Sequence, residues 1–492
     1  MKIVCVVSAL DVQLNYGCTP AWWQFLKGLH ELGHEVVAIP YAGAAFGTPW
    51  WRCYANPCQA EGRAFGALKK LFGGGAADLR RWAERDLRDR TDLRDERELW
   101  DEEDLDGDPR AMDVLDRMDE RAGASDRSGG ASGRRLTVRV AGKSGKAGAG
   151  AGKSAIAVGA SGFGGQIAGG IKGPGRSKVG RGGGSSIRGG VSGAINRRLI
   201  ESWVRPRWEA HLAKILEAER DVDAVIVFSV PLNHFTGLPA RLGKKCGVPF
   251  YFFDGDVPAS LPRYGGFASG FRGYDGADLS EYDGFMCNST AGAEELAAMG
   301  ARRVETVHWG VDPELYAPMT AKEEFDVFFY GYGVEYREEW FEDMLVTPCQ
   351  EMEDKVFALG GKGFPPTPVA LRYVGNVPFN GLRQACARAK INLNISRTAH
   401  ASVYGSSTLR LFELAAMGCC VVSNPHEGIE EWFEVGKEIV IVESADDATR
   451  TYRKLLQNAR KRKAMGRAAR KRVLSEHTHL QRAEQIVGFV RG

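Results

Sequence analysis

The chain has 492 residues, of which 44% are hydrophobic and 26% charged, so it is long enough for two or three domains with buried cores. Its 65 basic and 62 acidic residues give a net charge of +3, which argues against a globally basic nucleic-acid binder and against an acidic solvating protein. The ten cysteines show no repeated spacing, which favours a reducing compartment over a disulfide scaffold. Neither a signal peptide nor an apolar run long enough to span a membrane is visible, so we expect a cytoplasmic protein.

The first 40 residues predict a strand, a helix and a second strand. Residues 2–7 form an apolar run, and residues 20–32 carry apolar side chains at helical spacing. Gly33 is placed to end that helix, and residues 35–40 form the next apolar run.

Residues 65–198 predict a low-complexity insertion. Residues 78–128 hold 19 acidic residues and 11 arginines, whereas residues 129–198 hold 13 Lys or Arg and no acidic residue. Such a segment buries too little apolar surface to offset chain entropy, so we expect disorder. Two other hypotheses stay open: residues 147–154 fit a permissive phosphate-loop pattern, and residues 129–198 could bind RNA or another polyanion.

From residue 199 onward, apolar strands alternate with helical segments in two series. The first series predicts strands at 224–228, 249–253, 284–287 and 304–307. The second predicts strands at 326–330, 371–374, 391–395, 419–422 and 438–442, before a basic helical stretch at 446–490.

This alternation predicts an α/β protein with two doubly wound Rossmann-like domains, each built on a parallel sheet covered on both faces. We expect the amino-terminal domain to comprise residues 1–64 and 199–312, with residues 65–198 as an insertion. The carboxyl-terminal domain would comprise residues 313–470, and residues 471–492 would form a terminal helix packing back on the first domain.

Ligands of open α/β sheets bind at the carboxyl ends of the strands, so the residues that follow each strand are candidates. In the first domain, Gly17 precedes a helix and would let a ligand approach the backbone. Asp254 and Asp256 follow a buried strand and could orient a hydroxyl or act as a base, a role also considered for His234. We place Gly17, His234 and Asp254 on the acceptor side. The alternatives are a tight turn at Gly17, capping of the loop by Asp254 and Asp256, and a structural role for His234.

In the second domain, a Gly/Ser loop at 405–408 opens a helix and offers N–H groups and hydroxyls to a phosphate. Arg410 adds a positive charge one turn inside the helix, and Glu413 lies on the same face, where it could accept both hydroxyls of a ribose. The alternative is a simple i,i+3 ion pair. The other candidates for donor binding are Gly331, Gly375, Asn376, Ser396, Arg397, Ser407 and Thr408.

The stretch from Thr408 to Ile439 resembles the donor-binding half of GT-B glycosyltransferases, most closely the family 4 enzymes and the CgeB-like "glycosyl transferases group 1" branch. Residues 308–313 resemble the interdomain linker of that family, and residues 288–290 resemble its last amino-domain turn. The resemblance covers roughly residues 1–60 and 200–490.

The resemblance implies that the carboxyl domain binds a nucleotide-diphosphate sugar and the amino domain binds the acceptor. Glu413 matches the second Glu of the family's EX7E motif, which holds the ribose, but Gly405 stands at the first Glu and leaves the donor-sugar contact unassigned. Arg337 resembles the diphosphate-binding arginine, although Glu338 follows where the family has a lysine nearby. The diphosphate would then be bound by Arg337, Arg410 and Arg397. The residues expected to be catalytic are Arg337, Arg410, Asp254 and Asp256. No bound metal and no separate cofactor are expected.

We therefore expect a glycosyltransferase that moves a sugar from a UDP- or GDP-linked donor to a hydroxyl of a glycan, lipid-linked or protein-linked acceptor. The family likeness favours retention of configuration, and peripheral contact with the inner membrane face is left open. Nucleic acid is not an expected partner. A non-catalytic protein that binds nucleotide sugars is the main alternative.

Overall fold

The computed structural model describes residues 1–10, 21–58, 197–264, 273–333, 337–365, 367–377 and 381–492. Gly17 and residues 65–196 of the predicted insertion lie outside the described residues, and so does the phosphate-loop pattern at 147–154. Of the segment behind the polyanion hypothesis, only residues 197 and 198 are described, and they are helical.

The described strands form two sheets in which every neighbouring pair is parallel. The first sheet has seven strands in the order β3-β2-β1-β4-β5-β6-β7, and the second has six in the order β10-β9-β8-β11-β12-β13. The strands are β1 (Lys2–Ala9), β2 (Glu35–Ala42), β3 (Arg52–Cys53), β4 (Ala224–Phe228), β5 (Phe250–Asp254), β6 (Gly284–Cys287), β7 (Val304–Thr306), β8 (Phe325–Tyr332), β9 (Phe357–Lys362), β10 (Arg372–Gly375), β11 (Ala389–Asn394), β12 (Val421–Ser423) and β13 (Val440–Ile441).

The α-helices of the described residues lie between and after these strands. They are α1 (Ala21–Glu31), α2 (Arg205–Glu219), α3 (Leu238–Cys246), α4 (Thr290–Ala298), α5 (Glu338–Phe341), α6 (Thr347–Glu351), α7 (Leu382–Ala387), α8 (Thr398–Ala401), α9 (Leu409–Ala416), α10 (Ala445–Leu456), α11 (Ala459–Glu476) and α12 (His479–Arg491). A π-helical turn at Ile200–Val204 leads into α2. None of the helices in the described ranges is long and apolar enough to cross a membrane.

The central strands are apolar on both faces because helices cover both sides of each sheet. In β1, Ile3 pairs with Val36 on one side and with Ala224 on the other, and all three are buried. In the second sheet, Val327 of β8 pairs with Phe357 and Ile391, which are fully buried as well. These sheets confirm the predicted pair of doubly wound, Rossmann-like domains.

Both domains belong to one compact unit of the chain, and the last helix connects them. Helix α12 packs against α1 so closely that a Cβ on Gly28 would come within 2.8 Å of the His479 carbonyl oxygen. Farther along α12, Phe489 packs edge-on against Tyr251 of β5, with ring centroids 5.7 Å apart. The chain thus ends against the domain in which it began.

The strand order of each sheet reverses at one point, where the connections leave in opposite directions and open a crevice. In the first sheet this point lies between β1 and β4, and in the second it lies between β8 and β11. Loops that follow β8 and β11 therefore meet at the crevice of the second domain.

Candidate functional site

Two arginines lie at the switch point of the second sheet. Arg337 follows β8, where its Nε donates to the Ile395 carbonyl oxygen at 2.8 Å and its Nη1 donates to the Tyr332 carbonyl oxygen at 3.1 Å. Arg397 directly follows the end of β11 and is only 8% exposed. Two fixed cations at the carboxyl ends of neighbouring strands form a binding place for an anion.

A carboxylate of the first domain reaches this pair. The Asp256 side chain, in the loop after β5, forms an ion pair with Arg397. Its Oδ1 also lies 3.6 Å from Nε2 of His400, which is buried in the short helix α8. Burial raises the pKa of the Asp256 carboxyl above its usual range, while the charges of Arg397 and Arg337 act in the opposite direction. The structure thus brings together three predicted site residues from both domains.

The Asp256 loop has little freedom to move. A Cβ on Gly255 would lie 2.5 Å from the Trp309 ring and 2.8 Å from the Trp22 ring, so only glycine fits between the two aspartates. Asp254 accepts the Asp256 backbone N–H at 3.0 Å, and its other carboxylate oxygen accepts the hydroxyls of Ser260 and Tyr274, each at 2.6 Å. This buried arrangement favours a structural role for Asp254, in shaping the loop, over the predicted role as a base.

His234 lies in the turn after β4, against the first-domain core. Its Nδ1 is hydrogen-bonded to the Tyr41 hydroxyl, and the two rings are 5.7 Å apart. Burial, with a contribution from the nearby charge of Arg205, lowers the pKa of His234 to about 4. These contacts favour the structural alternative for this residue.

Glu413 and Arg410 form the i,i+3 ion pair that was the alternative to ribose binding, with Oε2 of Glu413 2.8 Å from Nη1 of Arg410. The other carboxylate oxygen accepts the Tyr316 hydroxyl at 2.7 Å, and Glu413 is 1% exposed. The Arg410 guanidinium lies over the Tyr330 ring, 5.1 Å from its centroid. Because Glu413 is so nearly buried, a ribose could reach its carboxylate only if the surrounding side chains moved.

The loop before α9 pairs with the turn after β6 and forms a seam between the domains, which we define as residues 288–291 and 404–407. Ser289 and Ser406 form an antiparallel β-bridge, and the backbone N–H groups of Thr290 and Ala291 donate to the carbonyl oxygens of Gly405 and Tyr404 at 3.1 and 3.2 Å. These contacts hold the first turn of α4 against the second domain.

Ser407 belongs to the seam. Its backbone N–H and its hydroxyl both donate to the Asn288 carbonyl oxygen, at 2.8 and 3.1 Å, and its Oγ accepts the Trp309 N–H at 3.0 Å. Because Ser407 is fully buried in these contacts, its position favours joining the domains over the predicted contact with a donor.

The seam explains the glycine at position 405. Gly405 has φ of +64°, and an added Cβ would collide with the Thr290 side chain, whose Cβ would be 2.7 Å away. A glutamate, which the resemblance led us to look for here, fits neither the backbone nor the space.

Two histidines flank the seam, on either side of Trp432. Nε2 of His426 is hydrogen-bonded to the Ser406 carbonyl oxygen at 2.9 Å, and Nε2 of His308 lies 3.3 Å from the Glu431 carboxylate. Both rings pack edge-on against Trp432 at 5.2 to 5.4 Å. Burial lowers the pKa of each to about 4. We call His308 and His426 the seam histidines.

The remaining predicted donor residues lie at different distances from the arginine pair. The Ser396 hydroxyl accepts Asn394 at 3.2 Å, next to Arg397, and Gly331 lies at the end of β8. Thr408 is the first residue before α9, and its buried Oγ1 has no hydrogen-bond partner among the described residues. Gly375 ends the edge strand β10 and Asn376 follows it; β10 lies two strands from β8 and three from β11 in the sheet.

His400 and Tyr316 contact the candidate site but were not among the predicted site residues. His400 is 2% exposed, and no described residue hydrogen-bonds to its Nδ1. Its place three residues after Arg397, on one helical turn, is the signal that could have indicated it. Tyr316 gave no such signal because it is 97 residues away from its partner Glu413. Within the described ranges, no group of three or more His, Cys, Asp or Glu side chains could hold a metal ion.

Comparisons with known proteins agree with this architecture. Residues 337–488 match the family model described as "Glycosyl transferase-like", so this part of the chain is similar to a glycosyltransferase-like domain. No curated protein matches the chain.

Among solved structures, the chain is similar to sucrose-phosphate synthase from Thermosynechococcus elongatus, with 10% identity, a TM-score of 0.50, and coverage of 100% of this chain and 98% of that one. A glycosyltransferase from Rickettsia africae aligns with 10% identity over 100% and 97% of the chains, with a TM-score of 0.47. Anabaena HepE, solved in complex with UDP and glucose, aligns with 13% identity over 57% and 80%, with a TM-score of 0.44. The likeness to the synthase shows a shared two-domain fold, the GT-B fold.

Proposed function

We propose that this protein transfers a sugar from a nucleoside-diphosphate sugar, UDP- or GDP-linked, to an acceptor hydroxyl. The observation that carries the proposal is the pair Arg337 and Arg397, which lies at the switch point of a glycosyltransferase-like domain and faces Asp256 of the other domain. We also propose that the protein is related to family 4 and to its CgeB-like branch.

The proposed chemistry follows from charge. The bond from sugar C1 to the phosphate oxygen breaks, and its electron pair leaves with the diphosphate, while a bond forms between C1 and the acceptor oxygen. Arg337 and Arg397 would stabilise the charge that builds on the leaving diphosphate, and they can do so without a metal ion. The N-terminus of α9, with the Thr408 hydroxyl that no described residue hydrogen-bonds, would contribute further donors.

The first domain would hold the acceptor across the crevice, where orientation lowers the barrier to attack. Asp256 would take the acceptor proton as the base in an inverting reaction. In a retaining reaction, which the family likeness favours, the leaving diphosphate oxygen would take that proton, so no separate base is needed. The acceptor is proposed to be a glycan or a lipid-linked or protein-linked group, as in polysaccharide biosynthesis.

We place the reaction in a reducing compartment, the cytoplasm, on the ground that all nine cysteines of the described residues are free thiols. Contact with the inner face of a membrane is proposed for α11. Residues 448–475 hold 11 Lys or Arg and no acidic residue, and five of the ten exposed residues of α11 are Lys or Arg. Clusters of this size attract anionic lipid headgroups. This basic face consists of Arg460, Lys461, Lys463, Arg467 and Lys471.

A thermal-shift titration with UDP, GDP, ADP, CMP and ATP, each with and without Mg²⁺, tests the donor site. A ligand at 100 times its dissociation constant stabilises the protein by about 2.7 kcal/mol, which raises the melting temperature by a few degrees. We expect one nucleoside diphosphate to act without Mg²⁺, and an Arg337→Gln variant to lose the shift. The absence of a shift with every nucleotide would contradict the proposal.

One observation favours a second candidate, a protein that binds nucleotide sugars without catalysis. Both carboxylate oxygens of Glu413 are engaged within the protein, and residue 405 carries no side chain. Release of UDP or GDP from the matching nucleotide sugar, with or without an acceptor, separates the two functions. Nucleotide binding without any turnover would favour the second.

A further inference from the structure

We propose that the Asp256 carboxylate occupies the anion place on Arg397 while no donor is bound, and that the donor diphosphate displaces it. This inference rests on the proposed function, because it concerns the same pair of arginines. It adds a fixed order of events, in which the donor binds before the carboxylate becomes available to the acceptor.

The contacts of Asp256 are those of an anion in a binding place. Its carboxylate crosses from the first domain to a nearly buried guanidinium of the second, and the His400 ring lies 3.6 Å away. The charge of Arg337 also acts on it. Three groups of the donor domain thus converge on one carboxylate, although none of them is a neighbour of Asp256 in the chain.

The loop holds Asp256 in place, so the exchange requires only a side-chain rotation. The backbone N–H of Asp256 is bound by Asp254, and Gly255 is enclosed by Trp22 and Trp309. The side chain of Asp256 itself remains 29% exposed, which leaves it room to turn toward the crevice.

Charge favours the donor diphosphate over the Asp256 carboxylate as the anion bound to the two arginines. A diphosphate carries more negative charge than one carboxylate and offers more acceptor oxygens to the planar guanidinium groups. Once displaced, the carboxylate stands free beside the place of the acceptor hydroxyl. Before displacement, the ion pair keeps it from that role, so the acceptor meets an active carboxylate only when the donor is present.

The competition makes an unusual prediction, namely that removal of a charged site residue tightens binding. Isothermal titration of the full chain with UDP, GDP and inorganic pyrophosphate compares the wild type with Asp256→Asn. We expect the variant to bind the recognised nucleotide and pyrophosphate at least about fivefold more tightly, the lower end of ordinary coupling between sites. Asp256→Ser serves the same purpose if the asparagine variant does not fold.

Two further variants complete the experiment. Asp221→Asn removes an exposed aspartate of the same domain and should leave the affinities unchanged. Arg397→Gln should weaken binding of all the probes. If the wild type binds a nucleoside diphosphate and the Asp256 variants bind it equally or less tightly, the displacement is wrong and the donor site stands. If the wild type binds neither UDP nor GDP, the proposed function fails and this inference fails with it.

Discussion

Replacing Glu413 by alanine should destabilise the protein. The substitution leaves the Arg410 guanidinium and the Tyr316 hydroxyl without their carboxylate, in a place where Glu413 is 1% exposed. Removing one partner of a fully buried ion pair costs about 3–5 kcal/mol. Because the Arg410 side chain is 21% exposed, water takes over part of its solvation, and we expect a loss of about 2–4 kcal/mol.

Thermal unfolding measures this loss. At about 2–4 °C per kcal/mol for domains of this size, the melting temperature should fall by roughly 4–16 °C. Glu413→Gln keeps an oxygen for Tyr316 and should fall less. Tyr316→Phe should cost about 1 kcal/mol, the contribution of one hydrogen bond.

A double-mutant cycle with a matched control distinguishes the coupling energy between Glu413 and Tyr316 from the ordinary cost of removing a buried hydroxyl. The Tyr452 hydroxyl donates to the Met344 carbonyl oxygen at 2.8 Å, away from the site, so Tyr452→Phe should cost as much as Tyr316→Phe and show no coupling to Glu413. An unchanged melting temperature in Glu413→Ala, or additive effects of the Glu413 and Tyr316 changes, would refute this account of the buried network.

Three further outcomes are expected. Gly405→Ala should lower stability by more than Gly436→Ala, because both glycines have positive φ but only Gly405 faces a neighbouring side chain; equal losses in thermal unfolding would contradict the steric argument. Changing Arg460, Arg467 and Lys471 together to Glu should abolish cosedimentation with vesicles containing anionic phosphatidylglycerol. The control, Lys244→Glu with Lys245→Glu at exposed positions of α3, should leave it unchanged. Vesicle binding that survives the first change would show that the basic face is not the membrane contact. The seam histidines have a pKa of about 4 in the folded protein, below the ordinary 6.5, so the unfolded chain binds more protons between pH 4 and 6.5. The melting temperature should therefore fall as the pH is lowered from 6.5 to 4. A constant melting temperature over this range would contradict the prediction.

The sequence alone predicted the sheets well where strands are apolar on both faces. Residues 224–228 and 284–287 were predicted with the bounds that the structure shows. The strand β9 was missed because its residues include two glycines and end in a lysine, and β3 because it has two residues at a sheet edge. The local sequence pattern predicts a strand least well where pairing with neighbouring strands, rather than the propensity of its own residues, determines that it forms.

The basic stretch at 446–490 was predicted as helical, and the structure divides it into three helices. Each begins at a residue whose side chain accepts a backbone N–H of the first turn: Ser444, Asn458 and Thr478. These are residue types that favour helix N-termini, so the divisions could have been found in the sequence.

The site could be predicted only in part. Arg397 was found because it follows a strand and Arg337 through the family resemblance, and their meeting depends on strand order, which the sequence pattern does not contain. The contact of Asp256 with Arg397 joins residues 141 positions apart, and the engagement of Ser407 with Asn288 joins residues 119 apart. Such pairings are decided by how the two domains dock, so no local signal announces them.

The seam between the domains has a consequence for engineering. Its bridge and the hydrogen bonds of Thr290, Ala291 and Gly405 run between main-chain atoms. The turn after β6 that carries these contacts has to be kept, together with the glycine at 405, whereas loops that follow other strands of the first domain can be exchanged without removing the bridge. The chain therefore offers a frame for changing the loops of the first domain beside an unaltered second domain.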